Sequence, residues 1–188
     1  MRLDAFVAAL RGGGVIACPT ETQTGLLADA LNAEAIARVS ALKLRPANEP
    51  IGLIAPSVEV ALALVIEMTP LARSLAEQHW PGPLTLVMRA RSHVPHGVQK
   101  DGTVAIRVPG PSPAFELVTA FGGPLTATSA NLSGQPPLST EAELRAAFGA
   151  GLAGIVPGLP PGGPPSTIVD ATTDRPKVLR KGALPLTF

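Results

Sequence analysis

Short apolar runs with the character of buried strands alternate with stretches of helical period along nearly the whole chain. That alternation constrains the fold more than any other feature, because strands separated by helices form an α/β layer structure rather than a bundle or a sandwich. Leu3 to Leu10 has the period of a short amphipathic helix, stopped by Gly12-Gly13-Gly14, and Val15 to Cys18 reads as a strand. Asn32 is placed to cap a helix from Ala33 to Leu42. Ile51 to Ala55 reads as a strand, Ser57 to Glu67 and Pro70 to His79 as helices, and Leu84 to Arg89 as a strand bounded by a Pro-Gly-Pro turn. Val104 to Val108 is strand-like, Ala114 to Phe121 helical, Leu125 to Thr128 a strand, and Glu141 to Phe148 a helix. Thr167 to Asp170 and Lys177 to Leu179 read as late short strands, and Gly158 to Pro165 as a Pro/Gly-rich loop. Connections of both hairpin and crossover length predict a mixed sheet. The strand exits at Cys18-Pro19, Val108-Pro109 and Thr128-Ser129 are expected to lie close together, where ligands bind in such folds.

With 188 residues, of which 46% are hydrophobic and 15% charged, the chain suits one sizeable core, so residues 1–188 are expected to form a single domain. A formal charge of +1 carries no polyelectrolyte signature. The single cysteine, Cys18, lies in an apolar run and has no partner in the chain, which favours a reducing cytoplasm. Asp4 and Arg11 interrupt the N-terminal apolar residues as no secretory signal does, and Val58 to Met68 is too short to span a bilayer, so no membrane role is expected.

Several runs carry chemistry. Lys43 and Arg45 lie at a helix end before Pro46, and with Asn48 they suit a polyphosphate, Arg as a bidentate donor and Lys as a point charge; taken alone they also read as a solvated helix end. Pro19-Thr20-Glu21-Thr22 leaves a strand with two hydroxyls and a carboxylate, suited to a small zwitterion or equally to a helix N-cap. Arg107 sits between apolar neighbours, so it needs an anionic partner if it points inward and none if it points out. Ser129, Asn131 and Ser133 precede Gly134, a pattern that presents backbone N–H groups to an anion or makes an ordinary polar turn. Trp80 reads as core. His93 and His96 have metal-like spacing without cysteine or acidic company, and no metal site is expected. Neither a Walker loop, a dinucleotide fingerprint nor a nucleophile elbow is present.

Taken in order, Pro19-Thr20-Glu21-Thr22, Lys43-Leu44-Arg45-Pro46, Trp80 to Thr85, Val104 to Pro109, Ser129 to Gly134 and Pro165 to Asp170 resemble the YrdC/TsaC family of threonylcarbamoyl-AMP synthases in its short form. The resemblance implies a YrdC-like α/β fold, a twisted mixed sheet flanked by helices around a large concave, positively lined cavity. It implies synthesis of L-threonylcarbamoyladenylate from L-threonine, bicarbonate and ATP, with Mg2+ accompanying the ATP and pyrophosphate released. The product feeds threonylcarbamoyladenosine modification at position 37 of ANN-decoding tRNAs. Partners implied are the downstream tRNA threonylcarbamoyl-transfer machinery, with tRNA or double-stranded RNA as a further contact. Carried over by position, the threonine pocket falls on Thr22, Arg107, Ser129 and Ser166, and the ATP contacts on Lys43, Arg45, Asn48, Thr103, Asn131, Ser139 and Arg180. Lys43 and Arg45 are the expected catalytic cations. Gln23-Thr24-Gly25 stands where the family usually has an apolar residue and a tyrosine before the glycine, so the resemblance implies a pocket wall without that ring. Two other readings stay open: a non-catalytic paralogue that binds RNA or the ribosome, and a carbamoyl-transfer domain of the same superfamily.

Overall fold

The computed structural model describes residues 3–44 and 49–186. Its strands fall into two sheets. In the smaller, β1 (Ile16–Pro19) and β2 (Thr24–Leu27) form an antiparallel hairpin, flanked by β8 (Thr128–Ser129) antiparallel to β2 and by β9 (Gly154–Ile155) parallel to β1. The larger runs in the order β11 (Lys177–Arg180), β10 (Thr167–Asp170), β4 (Leu84–Arg89), β6 (Thr103–Arg107), β3 (Leu53–Ile54), β7 (Leu125–Thr126), with β5 (Gln99–Lys100) paired to β6. Parallel pairs, β4 with β10 and β3 with β6, occur beside antiparallel ones, so the mixing expected from connection lengths is present but spread over two sheets rather than one.

The sheets are stitched together where sequence suggested a single strand over Leu125 to Thr128. Leu125–Thr126 pair with β3 and Thr128–Ser129 with β2. The amide of Ala127, between them, donates to the Gly52 carbonyl at 2.7 Å, and Thr126 Oγ1 joins Ala28 N and Leu26 O. Buried backbone must find partners, and here one short segment supplies them to both sheets.

Among the described residues, six α-helices pack around the sheets: α1 (Asp4–Arg11), α2 (Ala33–Leu42), α3 (Val58–Ala63), α4 (Pro70–His79), α5 (Pro113–Phe121) and α6 (Glu141–Phe148). All but α1 start at a side-chain cap. Asn32 accepts from Glu34 N and Ala35 N, Thr69 from Ala72 N, Ser112 from Phe115 N, and Thr140 with Glu143 forms a reciprocal capping box. The helix expected over Ser57 to Glu67 ends four residues early, because the chain beyond it pairs with the end of β4: Val65 bridges Ala90, and the Ile66 amide donates to Arg89 O.

Period-two alternation in the larger sheet decides which face becomes the site. Leu84, Leu86 and Met88 of β4, Val104 and Ile106 of β6, and Val169 of β10 are buried in the main core with Trp80, whose indole N–H donates to Leu84 O. The intervening residues, Thr85 and Val87, Thr103, Ala105 and Arg107, and Ile168 and Asp170, line an open cavity on the opposite face. The β1–β2 hairpin overhangs that face and closes one side.

Candidate active site

The cavity has a volume of about 860 Å³ and gathers residues from distant stretches: Thr22 and Thr24 of the hairpin, Thr103 and Arg107 of β6, Ser129 at the end of β8, Ser166 before β10 and Arg180 of β11. All four positions expected in the threonine pocket are among them. Lys43, Asn131 and Ser139 do not line it. Arg45 and Asn48 lie outside the described residues.

The polar end of the cavity is organised by two guanidinium groups. Arg107 points inward and is buried, its Nη1 donating to Glu21 Oε1 at 2.5 Å. Burial pulls its pKa down, against the opposing pull of Glu21. Arg180 donates from Nε and Nη2 to the Ser166 carbonyl at 3.1 and 2.9 Å, and from Nη2 to Ser166 Oγ at 3.1 Å. Its pKa is lowered by burial and, second, by the positive charge of Arg107, which places the two cations in mutual range. Two cations against one carboxylate leave one net positive charge, matched to a single incoming anion.

Hydroxyls line the same cavity, and those of Thr20 and Ser129 have their protons committed. Thr20 Oγ1 donates to Gln23 O at 2.7 Å and accepts from the amides of Thr22 and Gln23, a local turn that folds the hairpin tip. Thr22 Oγ1 lies 3.1 Å from Thr20 Oγ1, whose own proton goes to a carbonyl and whose lone pairs already receive two amides. Ser129 Oγ donates to Asn131 Oδ1 at 2.5 Å. Ser129 therefore presents lone pairs to the cavity, and Thr22 a hydroxyl. Acceptors facing two guanidinium groups are complementary to a zwitterion whose carboxylate meets the cations and whose ammonium or hydroxyl meets the oxygens.

Lys43 is buried behind this wall. Its ammonium donates to Ser129 O, and to Asn131 O and Oδ1 at 2.8 Å each, while the Asn131 amide group donates to Leu132 O and Gln135 O. The expected rosette of backbone N–H donors over Ser129 to Gly134 is largely spent within the protein. Ala130 N goes to Thr24 O, Asn131 N to Ser129 O and Ser133 N to Lys43 O. Thr103 Oγ1 donates to Lys100 O at the far rim, and Ser139 sits before α6, its amide on Glu143 Oε2. The helix-cap alternative for Thr20 to Thr22 does not hold, since the segment is a hairpin turn.

Two contributors were absent from the sequence-derived site although both lie in quoted motifs: Glu21, and Thr85, whose hydroxyl meets Ser166 Oγ at 2.8 Å. Their partners are 86 and 81 residues away, and no local signal reports such a pairing. Thr24 lines the cavity and its hydroxyl is buried without a partner. Among the described residues, no three His, Cys, Asp or Glu side chains converge as metal ligands, and no helix is long and apolar enough to cross a membrane.

A family model for Sua5/YciO/YrdC, described as "Telomere recombination", matches residues 8–182. The chain belongs to the Sua5/YciO/YrdC family. A threonylcarbamoyl-AMP synthase of Vibrio campbellii is 40% identical over 183 residues, covering 95% of this chain and 98% of that protein. A Pyrococcus abyssi protein of the same name is 37% identical over 94% of this chain, which spans only 53% of its length. Among solved structures, P. abyssi Sua5 complexed with L-threonine superposes with a TM-score of 0.92 at 35% identity, covering 98% of this chain and 55% of that one. Escherichia coli YciO superposes with a TM-score of 0.86 at 25% identity, covering 96% and 89%. Family members thus include synthases whose length this chain matches almost throughout and longer ones that it matches over about half.

Proposed function

We propose that this Sua5/YciO/YrdC family chain is an L-threonylcarbamoyladenylate synthase that acts as a single domain over residues 1–188, in the cytoplasm. The carrying observation is the gathering of Arg107 and Arg180 with the hydroxyls of Thr22, Ser129 and Ser166 on one cavity, cations and hydroxyls that fit a free amino acid and a phosphate beside it. The threonine-named relatives and the threonine complex of the P. abyssi protein support the same assignment.

The chemistry needs no protein nucleophile. The neutral amine of bound L-threonine takes up CO2 from bicarbonate as a carbamate, a carbamate oxygen attacks the α-phosphorus of ATP, and pyrophosphate departs. What the protein supplies is placement and charge neutralisation. Arg107 and Ser166 hold the amino acid, with Thr22 and Ser129 as acceptors. Arg180, bonded to Ser166 at the edge of that pocket, is assigned to the phosphates. Lys43 and Asn131 fix the Ser129 loop from behind, and Lys43, with Arg45 and Asn48, reaches the nucleotide if the ammonium exchanges one loop carbonyl for a phosphate oxygen. Thr103 and Ser139 are assigned to the outer parts of the nucleotide. Mg2+ arrives on ATP and keeps its waters, so that MgATP is the substrate. The product is passed to tRNA threonylcarbamoyl-transfer machinery for position 37 of ANN-decoding tRNAs.

Purified protein given L-threonine, bicarbonate and MgATP should release pyrophosphate, and omission of either threonine or bicarbonate should abolish release. Lys43→Ala should lower the rate by roughly 10²–10³. Well-folded protein that releases none, and instead binds RNA tightly with strong salt dependence, would favour the RNA-binding paralogue.

A further inference from the structure

We propose that Glu21, which no assignment of threonine or ATP contacts includes, is a positioning residue: it holds the guanidinium of Arg107 in the orientation that receives the carboxylate of the amino-acid substrate. The inference rests on the synthase reading above and adds a residue to it.

The contact is built rather than incidental. Glu21 and Arg107 side chains are 12% and 8% exposed, and their 2.5 Å bond joins residues 86 positions apart. The glutamate is set through its backbone. Thr20 Oγ1 collects the amides of Thr22 and Gln23, so the backbone at position 21 is pinned within a three-residue turn. Behind it, Gly110 has no side chain to crowd Glu21, since even a Cβ there would only reach van der Waals contact with Glu21 Cγ, at 3.4 Å. A flexible arginine on a strand facing an open cavity would otherwise sample several rotamers, each costing side-chain entropy to fix when a ligand arrives.

Only one guanidinium edge is used. Nη1 is bonded to Glu21, while the other nitrogens of Arg107 are not among the buried unsatisfied atoms, which among the described residues are Glu21 Oε2 and Thr24 Oγ1. Those remaining N–H groups open to the cavity that Arg107 lines, in the fork geometry that accepts a carboxylate. The competing account is that Glu21 only compensates a buried charge. The two accounts part on where a loss at Glu21 falls, on threonine binding or on stability alone.

The test compares wild type with Glu21→Gln, which keeps the shape and one acceptor but removes the charge. L-threonine is titrated into each by calorimetry, and the KM values for L-threonine and MgATP are measured from pyrophosphate release. The variant is expected to weaken threonine binding by roughly tenfold to a hundredfold, because a neutral amide holds the guanidinium far less firmly than a carboxylate. The same loss should appear in the KM for threonine, with the KM for MgATP within about twofold. In an Arg107→Lys background, where no fork remains to be oriented, Glu21→Gln should add less than about threefold. Unchanged or tighter threonine binding overturns the proposal, tighter binding showing that Glu21 masks Arg107. A lowered melting temperature with both KM values raised alike overturns it also, leaving charge compensation. Should Glu21→Gln fail to fold, Glu21→Asp, which keeps the charge but withdraws it by one methylene, is held to the same comparison. Wild-type protein that binds no threonine sinks the synthase reading itself, an outcome distinct from a threonine-binding wild type matched by its variant.

Discussion

Thr22→Val separates binding from folding more cleanly than any other change in the cavity. Threonine 22 is 5% exposed, and valine has nearly its shape, so no cavity opens and the hairpin backbone is not asked to move. The partner left behind is Thr20 Oγ1, which still donates to Gln23 O and still accepts from two amides, so the loss inside the protein is one of several bonds at that oxygen. The stability cost should stay below about 1 kcal/mol, about 4 °C or less in melting temperature for a chain of this size. The cavity loses far more. The Thr22 hydroxyl lines the cavity, and as an acceptor for an ammonium it is worth about 1.5–3 kcal/mol. That corresponds to a rise of roughly 10- to 150-fold in the KM for L-threonine.

Pyrophosphate release measured against threonine concentration, with a thermal melt of the same sample, reads both quantities. Thr22→Ser keeps the hydroxyl and should stay near the wild-type KM, losing only a methyl contact. The assignment of the Thr22 hydroxyl to the ligand is refuted if Thr22→Val leaves the KM for threonine unchanged, or if its melting temperature falls by about 10 °C or more, which would make Thr22 a structural residue.

Two further changes probe the frame around the site. Gly182 follows Arg180 so closely against the start of β10 that a Cβ there would lie 2.1 Å from Pro165 O and 2.6 Å from Ser166 O. Backbone atoms cannot rotate aside, so Gly182→Ala should cost about 1–3 kcal/mol and, by displacing the Arg180 contacts to Ser166, raise the KM for threonine; a wild-type melt and KM would show that the segment yields freely. Cys18 is fully buried and its thiol pKa is pushed well above the usual range by burial and, second, by Glu116. It should resist iodoacetamide at pH 8 in folded protein and react fully in denaturant, and native labelling at the rate of a free thiol would contradict the placement.

The strand and helix pattern was legible because period and caps are local properties. Asn32, Thr140 and the apolar runs at β4 and β6 each act within a few residues of themselves. What escaped depends on pairing across the chain. Strand β2 is only four residues long, and its leading polar tip gives the turn signal that a strand exit also gives, so the hairpin was invisible until β1 and β8 stood on either side of it. The end of α3 and the division of residues 125–129 between two sheets follow from partners at Ala90 and Gly52 that no window contains.

The site divides along the same line. Arg107 declared itself by being a cation in an apolar strand, and it demanded an anion without naming one; Glu21 supplies it from 86 residues away. Lys43 was legible as a cation at a helix end, yet the structure spends its N–H groups on Ser129 and Asn131, so a residue read as a direct phosphate clamp is first a brace for the acceptor wall. That ordering has a functional consequence. If the ammonium must trade a loop carbonyl for a phosphate oxygen when nucleotide enters, the Ser129 loop is released or tightened by the same event, and the threonine and nucleotide halves of the cavity are energetically coupled through Lys43. Reciprocity then requires that threonine alter the affinity for a non-hydrolysable ATP analogue by the factor by which the analogue alters that for threonine.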